Sequence, residues 1–124
     1  MPKTPHLVVA LVLLLSHSVI AQAVVVLQYH HIDTITPSST STNPALFKQH
    51  IEYLVSNEFK VSSLPNIVVA LKAKQTIDDK TVAITFDDGF ISVYTNAFPI
   101  LKAYGMPFTI FINPAIIDRN SDSY

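Results

Sequence analysis

The sequence predicts an α/β fold built on parallel strands. Three runs rich in β-branched and aromatic residues, at 24–29, 81–86 and 107–113, are separated by segments whose apolar residues recur with helical spacing. Strands that alternate with helices in this way pair in parallel through right-handed crossovers. The composition, 49% hydrophobic and 14% charged, is that of a globular chain.

The N-terminus has the composition of an export signal. A basic start precedes an apolar run at 7–15, and small residues follow at Ala21 and Ala23, so we expect residues 1–23 to be a cleaved secretory signal peptide. An uncleaved anchor and a buried helix are the alternatives, but the run is shorter than the roughly 20 apolar residues that cross a bilayer. The mature chain, 24–124, is therefore expected to be secreted or periplasmic, with no stable membrane span.

The first strand and the loop after it carry two histidines. Residues 24–29 are apolar almost throughout, which predicts a strand buried on both faces. His30 and His31 follow it directly. Residues 34–42 are rich in Ser, Thr and Pro and lack an apolar period, so we expect an exposed loop there.

Two helices and a short strand come next. Asparagine and proline open the segment 43–57 as an N-cap and a first helical residue, and its apolar spacing predicts a helix with His50 on the polar face. A short strand is predicted at 59–61 and an amphipathic helix at 62–74. The connection 75–80 contains two aspartates, which we interpret as a solvated turn.

The clearest strand, 81–86, runs directly into Asp87-Asp88-Gly89. Residues 90–104 are then helical in pattern, but Pro99 cannot donate the helical hydrogen bond. We therefore expect a kink or two short helices. The last strand is predicted at 107–113.

Polar residues stand at the carboxyl end of several predicted strands. They are His30, His31, Asp87, Asp88 and Asn113. In parallel α/β folds these strand ends open on one rim, where functional side chains gather. The topology thus predicts that the five residues lie at one end of the sheet.

The adjacent carboxylates admit two interpretations. Side chains alternate along a strand, so Asp87 and Asp88 can share a pocket only if the backbone turns, which Gly89 allows. One carboxylate could then bind a divalent metal ion while the other takes a proton from water. Alternatively Asp87 caps the following helix and Asp88 is solvated. The residues alone leave both open.

Charge excludes some partners. The net charge is −1, and lysines and arginines are scattered singly. Nucleic acids and anionic membranes favour clustered basic residues, so neither is an expected partner. Cysteine is absent, which excludes disulfides.

Two motifs together resemble the polysaccharide deacetylases of the NodB-homology family. They are Tyr29-His30-His31-Ile32 and Thr85-Phe86-Asp87-Asp88-Gly89. The segment 47–64 is similar to the branch that includes the poly-β-1,6-N-acetylglucosamine deacetylases, and 108–112 resembles the strand that follows in the family. The resemblance implies a distorted (β/α) barrel, of which this chain is an incomplete part.

The same resemblance implies a metal-dependent hydrolase that removes N-acetyl groups from an N-acetylglucosamine-containing polysaccharide. On this sequence it implies that Asp87 is the general base, Asp88 a ligand of a zinc-like divalent ion, and His30 a pocket residue. His31 and Asn113 are further candidates from their positions. The expected partner is thus an N-acetylated polysaccharide.

The sequence departs from the family in one respect that matters for the metal. The family completes its metal site with two histidines downstream of the last strand, and this chain has no histidine after His50. We therefore expect a truncated N-terminal part of the domain that is inactive alone and poorly soluble. A non-catalytic carbohydrate-binding or interaction module is the alternative. An aspartyl-phosphate enzyme is disfavoured, because Gly89 stands where such sites place a second acidic residue.

Overall fold

A computed structural model describes residues 23–114. All but the last residue of the predicted signal peptide, and the polar end at 118–124, lie outside this range. The elements in chain order are β1 (Val25–Tyr29), α1 (Pro44–Ser56), β2 (Lys60–Val61), α2 (Leu64–Lys72), β3 (Thr81–Asp88), a π-helix (Val93–Ala97), α3 (Phe98–Ala103) and β4 (Thr109–Ile112). No helix in this part of the chain is both long and apolar enough to cross a membrane.

The four strands form one parallel sheet around β3. β1 pairs along one side of β3, with Gln28 opposite Thr85 and Tyr29 opposite Phe86. β2 pairs with the start of β3 on the other side, and β4 with its end, where Asp87 is opposite Phe111. The prediction of parallel strands joined by helical crossovers is thus confirmed.

Burial differs along β1, and here the prediction of a strand buried on both faces is wrong. Val25 and Val26 are 52% and 46% exposed, whereas Tyr29 is buried. The physical reason is position. Among the described residues β1 pairs with β3 alone, and the core covers only its carboxyl end. Its β-branched composition reports strand propensity, not burial.

The core lies between α1 and the carboxyl half of the sheet. Phe47, Ile51 and Leu54 recur at helical spacing and are all buried. The Tyr29 ring meets Phe47 edge-on at 5.0 Å between centroids and lies 5.7 Å from Phe86. This aromatic layer fixes the ends of β1 and β3 against α1, directly beneath the strand ends.

His50 was expected on the polar face of α1, and this prediction is wrong. Its ring is half-buried, and its Nδ1 lies 3.0 Å from the hydroxyl of Tyr29. Burial raises the pKa of Tyr29 to about 12. His50 therefore faces the sheet, because Tyr29 of β1 provides its hydrogen-bond partner.

Side-chain caps begin the first two helices, and the cap of the first was predicted. The Asn43 side chain accepts a hydrogen bond from the Ala45 N–H at 2.8 Å, and Pro44 is the first helical residue. Ser63 caps α2 by accepting from the Asn66 N–H at 3.4 Å. Each cap satisfies a backbone donor that the helix leaves without an internal partner.

The helical segment after β3 is divided where Pro99 predicts an interruption. The π-helix Val93–Ala97 passes directly into α3, and the Phe98 N–H donates to the Val93 carbonyl. Pro99 thus falls in the first turn of α3, where its missing N–H is not needed. Of the two expected alternatives, a kink or two short helices, the structure has two helical elements, which follow one another without a break.

Candidate active site at the end of the central strand

β3 carries the two aspartates at its carboxyl end. Its first six residues, 81–86, are buried, and Asp87 and Asp88 are half-buried. The strand continues through both aspartates, two residues beyond its predicted end, because β4 pairs with this part of β3. Both aspartates therefore belong to the part of β3 that pairs with β4.

A tight turn centred on Asp88 follows. The Gly89 N–H donates to the Asp87 carbonyl at 2.9 Å, and φ is 67° at Asp88 and 74° at Gly89. This is a γ-turn of the rare positive-φ kind. A non-glycine residue held at positive φ costs on the order of 1–3 kcal/mol, and such strain clusters at functional sites. The backbone turn that a shared site requires is thus present.

Gly89 is required by conformation and not by space. A Cβ built at Gly89 would lie 3.8 Å from Cγ2 of Ile110, an ordinary van der Waals contact. Its positive φ is what a side chain rarely adopts. Of the two residues with positive φ, Gly89 adopts it without strain, whereas Asp88 is the strained residue.

Gln28 of β1 and His30, the residue that follows the strand, converge on Asp87. Gln28 donates a hydrogen bond from Nε2 to Asp87 Oδ2, and His30 Nε2 lies 3.6 Å from the same oxygen. The side chains of His30 and Asp87 are 35% and 24% exposed, so the pair is accessible from solvent.

His31 packs beside the turn. Its ring stacks on Phe90 at 3.5 Å between centroids, with 23° between the planes. Burial lowers the pKa of His31, while Asp33 and Asp88 oppose this shift and His30 adds to it. The ring of His31 is thus packed on Phe90, which follows the turn at Asp88 and Gly89.

The backbone of His31 also anchors the Ser/Thr-rich loop. The His31 N–H donates to the Thr40 carbonyl at 3.1 Å, and the Thr42 N–H donates to the His31 carbonyl at 2.9 Å. Most side chains of 34–42 are exposed, as predicted. The loop is therefore a solvated segment whose end is fixed beside the candidate site.

Two residues that the sequence analysis missed join the two strand ends. Ser92 Oγ accepts from the Ile32 N–H at 3.2 Å, and Asn96 Nδ2 donates to the Ile32 carbonyl at 2.7 Å. Ile32 is fully buried, so its backbone has to find partners within the protein. Ser92 and Asn96 are four positions apart, which places them on one face of a helix, and this spacing is the signal that could have identified them.

The structure brings the predicted site residues to one end of the sheet. His30 lies beside Asp87, and His31 stacks on Phe90, just after the turn. Asn113 follows Ile112, which is in register with Asp88, so it lies at the same end.

The described residues do not by themselves fit a zinc-like site. Within 23–114, no three side chains of His, Cys, Asp or Glu are grouped closely enough to hold a metal ion. Zinc sites in enzymes usually have three protein ligands. Asp88 offers one carboxylate, which is too few to hold such an ion.

Comparison with known proteins agrees with this arrangement. A sequence model of the polysaccharide deacetylase family matches residues 74–124, the part that includes β3 and its turn. The poly-β-1,6-N-acetyl-D-glucosamine N-deacetylase of Staphylococcus epidermidis is 36% identical over 66 residues, which are 53% of this chain and 22% of the relative.

Solved structures share the fold. The Streptococcus pyogenes deacetylase PplD, in complex with acetate, superposes with a TM-score of 0.69 and 28% identity over 81% of this chain and 46% of that chain. IcaB from Ammonifex degensii superposes with a TM-score of 0.70 and 29% identity over 82% of this chain and 43% of that chain. The family model over residues 74–124 and these two superpositions together support a partial deacetylase of the NodB type. The sheet and helices of the chain are those of a partial α/β barrel of this type.

The chain is short for a polysaccharide deacetylase. It spans 46% or less of the two solved structures and 30% or less of the curated relatives that it matches. For this chain, the activity and substrate of the whole enzyme are therefore proposals.

Proposed function

We propose that this chain supplies one half of the active site of a polysaccharide N-deacetylase. The observation that carries the proposal is the arrangement at the carboxyl end of β3. Asp87 accepts a hydrogen bond from Gln28 and lies 3.6 Å from His30 Nε2. Asp88 is the strained residue of the turn that follows. The hydrogen bond that the Asp87 side chain accepts from Gln28 of the neighbouring strand is one that a helix cap would not require.

The proposed reaction is hydrolysis of an acetamide. Asp87 takes a proton from a water molecule, whose oxygen attacks the acetyl carbonyl carbon. The tetrahedral adduct collapses with cleavage of the carbon–nitrogen bond, acetate leaves, and the sugar nitrogen takes the proton to leave as a free amine. His30 Nε2 lies 3.6 Å from Oδ2 of Asp87, and the His30 side chain is 35% exposed. This position suits a residue that contacts the substrate.

Asp88 is proposed as the carboxylate ligand of a divalent metal ion. The γ-turn supports this role, because it ends the side-chain alternation of β3 immediately after the base. Within 23–114, no three side chains of His, Cys, Asp or Glu lie close enough together to hold such an ion.

The proposed substrate is an N-acetylglucosamine-containing polysaccharide outside the cytoplasm. The relative from Staphylococcus epidermidis carries such a polymer in its name. The chain has a net charge of −1 and an N-terminal segment of export-signal composition. A neutral polymer suits this charge, and we propose that the protein is secreted or periplasmic.

The test is a hybrid enzyme. We would join the full chain to the segment of the Staphylococcus epidermidis deacetylase that the chain does not match, and measure acetate and free amine released from N-acetylglucosamine oligomers with and without added zinc. The proposal expects release by the hybrid, no release after Asp88→Asn, and unchanged release after Asp79→Asn, an exposed aspartate remote from the carboxyl end of β3. A hybrid that melts cooperatively yet releases no acetate, where the parent enzyme does, would contradict the proposal.

A further inference from the structure

Gln28 of β1 and His30, which follows the strand, both contact a single oxygen of Asp87. Gln28 Nε2 donates to Oδ2, and His30 Nε2 lies 3.6 Å from the same atom. Neither contact involves Oδ1, the other carboxylate oxygen. An amide that occupies one carboxylate oxygen fixes both the side-chain rotamer and the identity of the reactive oxygen.

The register of the sheet makes this contact possible. Gln28 pairs with Thr85 and not with Asp87, so its longer side chain reaches diagonally along the strand pair to the carboxylate. Diagonal neighbours two positions apart are within reach of long side chains. Thr85 itself turns inward, with its hydroxyl donating to the Leu27 carbonyl at 3.1 Å, which leaves the amide free to reach Asp87.

Core packing does not account for Gln28. Its side chain is exposed, whereas the neighbouring Tyr29 is buried in the aromatic layer. An exposed neutral amide that ends on a half-buried carboxylate contributes little to stability, because water can replace it. Its contribution is to geometry.

We propose that Gln28 is a positioning residue for deacetylation, one that holds Asp87 Oδ2 so that Oδ1 accepts the proton of the attacking water. This inference rests on the proposed function. It adds a determinant that neither motif of the family resemblance includes, since Gln28 precedes Tyr29-His30-His31-Ile32.

The first test needs no activity. In the full chain we would measure by NMR the three-bond couplings that report χ1 of Asp87. All proteins in this test would carry Val25→Lys, which adds a charge to the edge strand far from the site. Gln28→Met keeps the length of the side chain and removes the donor. It should convert Asp87 from one rotamer to an average, whereas Gln49→Met, at an exposed glutamine of α1, should not. An unchanged Asp87 rotamer in Gln28→Met overturns the proposal.

The second test uses the hybrid enzyme. Gln28→Met should lower kcat by about tenfold or more, as misplacement of a reacting group does, and leave KM within about twofold. Equal kcat in an active hybrid overturns the positioning role and leaves the proposed function intact. If the unmodified hybrid melts cooperatively but is inactive where the parent enzyme is active, the proposed function fails, and the Asp87 rotamer still decides whether Gln28 positions Asp87.

Discussion

Asp88 holds an unfavourable backbone conformation between a regular strand and a glycine. The strand pairing of β3 with β4 and the following Gly89 fix φ at 67°. Strain of this kind persists only where the surroundings impose it. The aspartate is therefore retained at a conformational cost, as expected if its carboxylate has a function.

Replacing Asp88 should separate stability from function. Asp88→Gly removes the strain and should raise the free energy of unfolding by about 1 kcal/mol, although glycine also gains entropy in the unfolded chain. Asp88→Asn should be near neutral, because asparagine tolerates positive φ. Urea unfolding of the full chain measures both. Destabilisation by Asp88→Gly would show that the carboxylate, and not the strain, dominates at this position.

Tyr29 gives the protein a predictable sensitivity to base. Its pKa is raised from 10.0 to about 12 by burial, so the folded state favours the neutral phenol. Below pH 10 both states are protonated and stability is unaffected. Between pH 10 and about 12 the unfolded state loses the proton first, and stability falls by up to about 2 kcal/mol.

Tyr29→Phe should remove this loss. We expect the variant to lose less stability than the wild type between about pH 9 and about pH 11, as measured by urea unfolding, because phenylalanine does not titrate. Tyr53→Phe is the matched control, since Tyr53 is 60% exposed, and it should keep the wild-type slope. An equal slope for Tyr29→Phe would show that burial of this phenol does not govern the alkaline limb.

At the residue scale the sequence identifies the carboxylates but not what orients them. Asp87 and Asp88 stand at the end of an obvious strand, and the turn at Gly89 follows from composition. Gln28 was not predicted because its contact with Asp87 depends on the register between β1 and β3. The two residues are 59 positions apart in the sequence. Register is set by the whole sheet, and no local pattern encodes it.

The π-helix after β3 joins the two functional strand ends. Its flanking Ser92 and its own Asn96 both bond the backbone of Ile32, which directly follows the histidines. π-helical turns are rare in proteins, and many of those that occur lie at functional sites. Here the wide turn places two polar side chains on one buried residue's backbone.

Removing this connection should loosen the histidines relative to the aspartates. Asn96→Ala leaves the carbonyl of the buried Ile32 without its amide donor and should cost about 1–2 kcal/mol of unfolding free energy. Thr95→Ala, at the exposed neighbour, should stay within about 0.5 kcal/mol. Thermal melts of the two variants provide the comparison. Equal melting temperatures would mean that the Asn96 bond is not retained in solution.

At the element scale, local chemistry was sufficient for the helices but not for the sheet. Asn43 and Ser63 marked the helix starts, and Pro99 marked the division of the last helical segment. The exposure of the first half of β1 was not predicted, because it depends on which strands lie beside it. The same holds for His50, whose partner comes from β1.

The whole molecule leaves apolar strand surface exposed. Val25 and Val26 of β1, and Phe111 and Ile112 of β4, are each between 46% and 60% exposed. Exposed apolar strands of this kind are sites of strand pairing with other chains and of aggregation. The fold class followed from the alternation of strands and helices, whereas this exposure depends on how the sheet is closed.

Charge on the β1 edge should therefore improve solubility. Val25→Lys lies at the end of the sheet opposite the aspartates, in register with Val82. We expect it to lower the light scattering of concentrated full chain, because an edge lysine opposes strand addition. Lys60→Ala, on the short strand β2, is the control and should not lower it. Unchanged scattering for Val25→Lys would place the associating surface elsewhere.

The central claim is that Asp87 is the base of a deacetylase half-site. The most direct measurement is the rate of acetate release from N-acetylglucosamine oligomers by the hybrid enzyme carrying Asp87→Asn, relative to the hybrid carrying Asp79→Asn. Loss of general base catalysis predicts a rate lower by about 10²-fold or more, with both variants melting at the temperature of the unmodified hybrid. Equal rates for the two variants would contradict the account.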